Sequence, residues 1–311
     1  MSGEYQPKRK RAAAILSLIG NTRMIPLVFE EEGITLYCKC EFLNPSGSIK
    51  DRLAKTVLVD AEKRGLLKDD SIILECTSGN TGIALSMLGA AMGYRVTILM
   101  SEGASQERRM LIRQLGAELI LFQSEGRYQT GIEMSLEMAA KEPRYFLPKQ
   151  FENVLNVEDH LHTTGVEIIE QTPRPIDAFV TGFGTGGTLA GVGKAIKARY
   201  PKAKIMAMEP AEAALLAGEM PCCHMIEGVA DGFIPPLLQG APLDGEIKVS
   251  SGDAMAMTKR LQKEYGLLVG TSSGANVTAA LRIAQQLGPS SCVVTLLCDR
   301  AERYFSTALF K

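Results

Sequence analysis

Residues 71–100 read SIILECTSGN TGIALSMLGA AMGYRVTILM, and their pattern of apolar and polar residues decides the fold class. Residues 71–75 and 95–100 have the length and apolar character of buried strands. Residues 83–92 between them are rich in alanine and leucine, and Gly93, a typical helix end, follows them. A strand, a helix and a second strand in this order predict a βαβ unit of a parallel sheet.

The same alternation continues along the rest of the chain. Further strands are predicted at residues 118–122, 177–181, 204–208, 267–269 and 292–298. Further helices are predicted at residues 105–115, 188–200 and 275–287, with one more after Ser251. Strands separated by helices indicate an α/β protein with buried parallel sheets. We expect a domain boundary near the proline-bearing stretches 143–148 and 173–175.

Composition excludes several classes of protein. The 311 residues carry 34 Lys and Arg against 35 Asp and Glu, and this net charge of −1 gives no electrostatic reason to expect nucleic acid or an anionic membrane as a partner. No apolar run reaches the roughly 18 residues that a membrane span requires. The basic run at residues 8–11 is interpreted as part of a flexible, solvated arm at residues 1–11, with no targeting role.

The seven cysteines are an odd number, which favours reduced thiols and a cytoplasmic location. Neither Cys38 with Cys40 nor the adjacent Cys222 and Cys223 has the spacing of zinc ligands. Because the sequence holds only three histidines, we expect no metal site. These properties leave an enzyme or a binding protein of the cytoplasm.

In open α/β sheets, ligands bind beyond the carboxyl ends of the strands, where loops lead into helices. The first unusual junction, residues 44–52, reads NPSGSIKDR. Ser48 is the expected N-cap, which places Lys50 in the first helical turn. Lys50 then either extends into water or has a pKa lowered by the positive end of the helix dipole, which would suit it to form a Schiff base.

The second junction, residues 77–82, reads TSGNTG and follows a predicted strand directly. Its glycines, hydroxyls and amide surround the N–H groups at a helix start, which is typical of a site for a carboxylate or a phosphate. The alternative is a polar loop that only caps the helix.

The third junction, residues 182–188, reads GFGTGGT and is glycine-rich enough to bring backbone N–H groups around a phosphate. It also matches G-x-G-x-x-G, and Glu209 follows at about the spacing of a ribose-binding acid, so a dinucleotide is an alternative ligand. The fourth junction, residues 270–274, reads GTSSG. A hydroxyl here either meets a ligand or caps the helix.

One cofactor uses all of these junctions. Pyridoxal phosphate requires a lysine for its aldehyde, a glycine-rich loop for its phosphate and a partner for its ring nitrogen, and its amino-acid substrate requires a pocket for the α-carboxylate. A dinucleotide would leave Lys50 and residues 77–82 without a function. We therefore predict a pyridoxal-phosphate enzyme.

Segments 44–52, 77–82, 184–188 and 270–274 resemble those of the cysteine synthase (O-acetylserine sulfhydrylase) family, which belongs to the fold-type II pyridoxal-phosphate enzymes. The similarity runs from about Ala13 to Leu309. It also includes Gln150 with Phe151, residues 162–165, and Arg303 with Tyr304.

The resemblance implies a tryptophan synthase β-like fold with two three-layer α/β domains. We expect the smaller, mobile domain at residues 49–151 and the larger domain at residues 12–48 together with 152–311. Similar enzymes are homodimers, so a homodimer is expected here, with a serine acetyltransferase as a further partner.

The resemblance also implies roles for individual residues. Lys50 would hold the cofactor as a Schiff base and act as the general base, Asn80 would bind the ring hydroxyl oxygen, and Ser272 would meet the pyridine nitrogen. The phosphate would be bound by Gly184, Thr185, Gly186, Gly187 and Thr188. The substrate carboxylate would be bound by Thr77, Ser78, Asn80, Thr81 and Gln150.

The implied reaction is a β-replacement on an amino acid through an α-aminoacrylate intermediate, and with O-acetylserine and sulfide it yields cysteine and acetate. Residues 228–235 read GVADGFIP, where the family commonly has Gly-x-Gly-Ala-Gly-Phe-Ile-Pro. Asp231 thus replaces a small apolar residue, and Glu227 stands where glutamine is usual. Asp231 either points to solvent or points inward.

An inward carboxylate at Asp231 would disfavour hydrosulfide and act as a base toward water. The alternative function is therefore a cysteine lyase, or desulfhydrase, that releases hydrogen sulfide and forms serine by water addition. Cys76 stands where the family commonly has proline, so we expect a looser substrate loop and no chemical role for the thiol.

Other classes of protein remain as alternatives. A non-enzymatic sensor of amino acids or nucleotides could reuse the scaffold, but Lys50 argues against it because sensing requires no Schiff base. An NAD-linked enzyme would use residues 182–187. A serine or threonine deaminase is disfavoured by the residues found at 44–52 and 77–82.

Overall fold

The computed structural model describes residues 9–123, 128–220 and 222–311. The chain divides into two compact units. The described part of the first unit lies within Met1–Gly20, Asn44–Gln150 and Arg303–Lys311, and that of the second lies within Asn21–Leu43 and Phe151–Glu302. The mobile domain expected at residues 49–151 stays a prediction.

The helices and strands of the described residues follow in chain order. The strands are β1 (Met24–Phe29), β2 (Ile34–Cys40), β3 (Ile72–Cys76), β4 (Arg95–Ser101), β5 (Glu118–Phe122), β6 (Tyr145–Phe146), β7 (Ala178–Gly182), β8 (Lys204–Pro210), β9 (Gly245–Val249) and β10 (Val293–Leu297). The helices are α1 (Lys10–Ser17), α2 (Lys50–Lys63), α3 (Asn80–Met92), α4 (Gln106–Gln114), α5 (Tyr128–Lys141), α6 (Leu155–His162), α7 (Thr164–Gln171), α8 (Gly187–Arg199), α9 (Ser251–Glu264) and α10 (Thr271–Leu287).

The first unit is built on a parallel sheet with the strand order β5-β4-β3-β6. Every residue of β3 is buried, as expected for a central strand covered on both faces. Ile73 and Ile98 belong to a core that includes residues of α1, α2 and α3, whereas Leu74 and Leu99 pack with α5. Because the strands are parallel, the loops after β3 and β4 leave the same edge of this sheet.

The second unit is built on a sheet with the strand order β1-β2-β10-β7-β8-β9. β1 and β2 pair antiparallel, and the other neighbours in this sheet are parallel. Its core combines the apolar residues of β2, β7 and β10 with the buried face of α10. The loop after β7 leaves the carboxyl-terminal edge of this sheet and runs into α8.

Most predicted elements are confirmed within a few residues, and the differences have physical reasons. Residues 267–269 are not a strand, because Val269 forms only a single bridge with Arg300. α10 begins at Thr271, four residues before the predicted start, because the first-turn hydroxyls are buried with the helix.

The predicted basic arm at residues 1–11 needs a similar correction. Residues 1–8 lie outside the described residues. Lys10 and Arg11 belong to α1, and the Arg11 Nε donates to the Ala91 carbonyl at 3.0 Å. No described helix combines the length and the hydropathy that crossing a bilayer would need.

Candidate active site

Lys50 is the first residue of α2, as predicted, and it is half-buried. The N-cap position is held by Ile49 rather than Ser48, although the Ser48 hydroxyl accepts from the Lys50 N–H at 3.3 Å. Asp51 is fully buried, and its carboxylate accepts from the Ser46 N–H at 2.7 Å and from the Ser46 hydroxyl. These bonds hold the turn that precedes the lysine.

The loop at residues 77–82 follows β3 and runs into α3. The Thr77 hydroxyl accepts from the Gly79 N–H at 3.0 Å. Gly79 has a φ of 152°, and a Cβ at this position would overlap the Cδ of Arg108. Only glycine suits this backbone, which explains why the loop needs its first glycine.

Two of the predicted carboxylate ligands contact each other directly. The Thr81 hydroxyl donates to the Gln150 Oε1 at 2.6 Å, and both residues are buried. The Gln150 Nε2 donates to the Cys76 carbonyl at 2.9 Å, and the backbone N–H of Gln150 donates to Glu75 at 3.2 Å. Thr81 and Gln150 are therefore positioned by one hydrogen-bond network.

Cys76 ends β3 and is fully buried. Its carbonyl accepts a second hydrogen bond, from the Tyr128 hydroxyl at 2.6 Å. A Cβ on Gly131 would overlap the Cys76 Sγ, so the thiol fills the space beside this glycine. Two hydrogen bonds hold the Cys76 carbonyl, and the looser substrate loop expected from the missing proline stays a prediction.

Asn80, the predicted ligand of the ring hydroxyl oxygen, accepts at its Oδ1 from the Arg303 guanidinium. The same guanidinium donates to the Ser46 carbonyl at 2.9 Å and to the Gly47 carbonyl at 3.0 Å. Arg303 is buried. One side chain therefore links Asn80 to the turn that precedes Lys50.

A second buried arginine holds Ser78. The Arg108 Nη1 donates to the Ser78 carbonyl at 2.7 Å, and its Nε donates to the Ser105 hydroxyl at 2.8 Å. The guanidinium carbon lies 5.2 Å from the ring centroid of Tyr304, within the range of a cation–π contact. Arg108 thus fixes the backbone of the loop at residues 77–82, which is predicted to bind the substrate.

In the second unit, residues 184–188 form the turn from β7 into α8. The Thr185 hydroxyl accepts from the Asn156 Nδ2 at 2.9 Å, and the Thr188 hydroxyl lies 3.0 Å from the His160 Nε2. A Cβ on Gly187 would overlap the Asn156 amide. The turn therefore packs tightly against α6 and leaves backbone N–H groups at the start of a helix.

These residues fit a phosphate group. The first turn of α8 supplies N–H groups without intrahelical acceptors, and Thr185 and Thr188 add hydroxyl donors. The absence of a side chain at Gly187 makes room for the Asn156 amide, which donates to the Thr185 hydroxyl. The chemistry of this donor set is that of a monoester phosphate site.

Ser272 lies in the first turn of α10 and is buried. The N-cap of this helix is Gly270, so Ser272 is not the capping residue. Next to it, the Ser273 hydroxyl accepts from the Cys298 N–H at 2.9 Å, and Asn276 accepts from the Gly182 N–H at 2.7 Å. The start of α10 is thus tied to the ends of β7 and β10.

Asp231 is half-buried and lies against the glycine-rich turn. Its Oδ2 is 3.4 Å from the point where a Cβ would stand on Gly184. The neighbouring Ala230 has a φ of 50°, donates from its N–H to the Phe183 carbonyl at 2.9 Å and accepts from the His224 Nε2 at 3.2 Å. These backbone contacts bring the aspartate beside the predicted phosphate loop.

Glu209, which suggested a ribose-binding acid, serves the backbone instead. It is fully buried, and its Oε1 accepts from the Leu216 N–H at 2.9 Å. Burial raises the pKa of the Glu209 carboxyl above its ordinary value. The residue holds the loop after β8. The dinucleotide alternative therefore loses the ribose-binding acid that it requires.

Comparison with known proteins identifies the class first. Residues 15–299 match the family described as pyridoxal-phosphate dependent enzyme, and the chain belongs to this family. It is also 44% identical over 299 residues to the cysteine synthase of Staphylococcus aureus strain Mu50. The aligned residues make up 95% of this chain and 96% of that relative. The protein is accordingly a pyridoxal-phosphate-dependent β-replacement enzyme of the cysteine synthase family.

Solved structures give the same result. A hydrogen sulfide-producing enzyme from Fusobacterium nucleatum has a TM-score of 0.91 at 40% identity, covering 97% of this chain and 92% of that one. Its aspartate-to-asparagine mutant, complexed with an α-aminoacrylate intermediate, has a TM-score of 0.92. O-ureido-L-serine synthase has a TM-score of 0.91 at 41% identity, covering 95% and 94% of the two chains. The predicted fold class and cofactor are confirmed.

The sequence analysis gave no role to the residues that support the predicted ligands. These are Arg108 and Arg303 in the first unit and Asn156 and His160 in the second. Asn156 and His160 are four residues apart, so their spacing alone could have placed them on one face of a helix. The arginines carry no such signal for their contacts with the site, because Ser78, Ser46, Gly47 and Asn80 lie in distant segments of the chain.

Proposed function

We propose that this enzyme makes cysteine from O-acetylserine and sulfide. The observation that carries the proposal is the 44% identity to a cysteine synthase over 95% of the chain. The Thr81–Gln150 pair in the loop after β3 supports it, since a β-replacement enzyme must bind an amino-acid carboxylate.

In this proposal Lys50 binds the aldehyde of the cofactor, and Asn80 binds the ring hydroxyl oxygen. Ser272 meets the ring nitrogen, where a neutral hydroxyl favours prompt loss of a β-substituent. The phosphate is bound by Gly184, Thr185, Gly186, Gly187 and Thr188. The tight packing of this turn on Asn156 supports the last assignment.

The substrate carboxylate is bound by Thr77, Ser78, Asn80, Thr81 and Gln150. When bound, pyridoxal phosphate draws electrons from the α-carbon of the amino acid and makes its proton acidic. The Lys50 amine accepts that proton and returns it after a nucleophile has added at the β-carbon. When the network around Gln150 holds the substrate carboxylate, the substrate α-carbon stays within reach of the Lys50 amine.

A second candidate function is release of hydrogen sulfide from cysteine, with serine formed from water. Two observations favour it: the Asp231 carboxylate lies beside Gly184, and a relative at 40% identity is named a hydrogen sulfide-producing enzyme. A carboxylate at this place would repel hydrosulfide and accept a proton from water. If Asp231→Ala leaves the rate of serine formation unchanged, the role of Asp231 as the base toward water is excluded, and if cysteine yields no serine at all, the function is excluded.

The absorption spectrum of the purified protein tests both functions. We expect a yellow band that borohydride bleaches and that Lys50→Ala lacks. For a cysteine synthase, O-acetylserine changes the band and sulfide restores it, with cysteine formed. For a cysteine lyase, cysteine changes the band, with sulfide and serine released. Absence of any band after addition of pyridoxal phosphate would contradict the site assignment.

We also propose a homodimer in the cytoplasm, with a serine acetyltransferase as a possible binding partner. The odd number of cysteines, seven, supports the cytoplasmic location. Ultracentrifugation with and without the acetyltransferase would test the assembly, and a monomer at every concentration would contradict it.

A further inference from the structure

One face of α6 supports both threonines of the glycine-rich turn. Asn156 and His160 are four residues apart on this helix, and they contact Thr185 and Thr188 respectively. His160 is buried, with 2% of its surface exposed. A buried histidine between two hydroxyls is a defined hydrogen-bonding arrangement, which limits where its protons lie.

His160 contacts a threonine at each ring nitrogen. Its Nε2 lies 3.0 Å from the Thr188 Oγ1, and its Nδ1 lies 2.9 Å from the Thr164 Oγ1. A neutral imidazole has one N–H donor and one bare acceptor nitrogen, so the two contacts must run in opposite senses. Their sense depends on what Thr188 does with its single hydroxyl proton.

A bound phosphate decides that sense. A phosphate monoester is close to a dianion at neutral pH and offers only acceptor oxygens. With a phosphate bound at this turn, Thr188 would donate its proton to the phosphate and would then accept from the His160 Nε2–H. The His160 Nδ1 is then bare and accepts from the Thr164 hydroxyl. The Thr185 oxygen accepts from the Asn156 Nδ2, so the Thr185 hydroxyl proton would likewise be donated to the phosphate.

We propose that His160, in its Nε2–H tautomer with Nδ1 accepting from Thr164, is a positioning residue that directs the Thr188 hydroxyl proton to the cofactor phosphate. This inference rests on the proposed function of residues 184–188 as the phosphate loop. Hydrogen bonds that share one imidazole polarise each other. The bond from Thr164 to the His160 Nδ1 therefore strengthens the bond between the His160 Nε2 and Thr188.

Binding of two cofactor analogues tests the inference. The full-length protein is titrated with pyridoxal phosphate and with pyridoxal, which lacks the phosphate. For His160→Gln we expect the Kd for pyridoxal phosphate to rise about tenfold and that for pyridoxal to change less than about twofold. The matched control is His162→Gln on the same helix, because His162 is exposed and contacts Glu158.

The two ligands separate the possible failures. If the unmodified protein binds both ligands equally, the phosphate-loop assignment itself fails. If it prefers pyridoxal phosphate and His160→Gln keeps that preference, only the role of His160 is wrong. Thr164→Val serves as the second variant: it leaves the imidazole in place, and we expect a rise in the Kd for pyridoxal phosphate of about threefold.

The tautomer can be read directly in the holoenzyme by ¹⁵N NMR of the histidine rings. The sequence has only three histidines, so His162→Gln and His224→Gln assign the signals of His160. We expect a protonated Nε2 and a bare Nδ1. A proton on Nδ1 in the protein with bound pyridoxal phosphate would overturn the inference.

Discussion

At the residue scale, Arg303 decides how Asn80 is oriented. Because the Asn80 Oδ1 accepts from the guanidinium, the Nδ2 end is the one that can donate to a ring oxygen. Arg303 also donates to the carbonyls of Ser46 and Gly47. Its planar guanidinium therefore joins the Asn80 amide, the proposed ligand of the cofactor, to the turn before Lys50, which an ammonium group could not do.

We therefore expect Arg303→Lys to raise the Kd for pyridoxal phosphate about tenfold, because lysine cannot bond all of these acceptors together. Absorbance titration measures the change. Arg300→Lys is the matched control, since exposed Arg300 donates only to the Phe42 carbonyl among the contacts described for it. Equal losses in both variants would refute the orienting role.

Tyr128 is a second residue whose effect is predictable. Its hydroxyl donates to the Cys76 carbonyl and accepts from the Gln150 Nε2 at 3.3 Å. Tyr128→Phe should raise the KM for the amino-acid substrate about threefold to tenfold and leave the cofactor spectrum unchanged, because one neutral hydrogen bond contributes about 1 kcal/mol. Steady-state kinetics measures it.

The control for Tyr128 is Tyr94→Phe, which removes a hydroxyl that donates to Glu62 at 2.7 Å in the same unit. We expect its KM to equal that of the unmodified enzyme. A KM that is unchanged in Tyr128→Phe would show that Gln150 keeps its position without the tyrosine.

At the scale of elements, the close packing of α6 on α8 holds the turn at residues 184–188, the proposed phosphate site. A Cβ on Gly191 of α8 would overlap the Val157 carbonyl oxygen, a backbone atom that cannot rotate away. Gly191→Ala should therefore lower the free energy of unfolding by about 1–3 kcal/mol, despite the better helix propensity of alanine. Urea unfolding measures this change.

Gly252→Ala in α9 is the matched control, because a Cβ there meets nothing closer than the Ser250 Oγ at 3.7 Å. We expect it to be neutral or to stabilise by up to about 1 kcal/mol. If Gly191→Ala behaves like this control, α6 and α8 are less tightly packed than described.

At the scale of the whole molecule, burial makes the cysteines differ in their reactivity. Cys38 and Cys40 are buried, and burial raises the pKa of Cys40 to about 12 and that of Cys38 well above its ordinary value. Cys222 and Cys223 are exposed. Because the thiolate is the nucleophile, a raised pKa keeps the buried thiols protonated and inert at pH 8.

We expect a disulfide reagent at pH 8 to label Cys222 and Cys223 first. The double variant Cys222→Ser, Cys223→Ser should lose this rapid phase and keep the slow one that unfolding exposes. Peptide mapping of the labelled protein identifies the sites. Labelling of Cys38 as fast as Cys222 in the folded protein would contradict the described burial.

Much of the architecture could be predicted before the structure was known. Buried strands such as β3 and β10 are continuous apolar runs, so their period and length show in the sequence. The α6 and α7 helices were missed, because short polar helices are stabilised by packing more than by their own propensity. The strand expected at residues 267–269 was wrong because no neighbouring strand pairs along its length.

The sequence by itself determined the α/β class and the junctions that carry Lys50, Asn80, Thr188 and Ser272, because strand period, helix starts and glycine-rich turns are local properties. Only the tertiary structure decided which side chains support them. Arg303 and Asn80 are 223 residues apart, and His160 and Thr188 are 28 apart. A hydrogen bond of this kind depends on how distant elements pack, and no local pattern of residues specifies that packing.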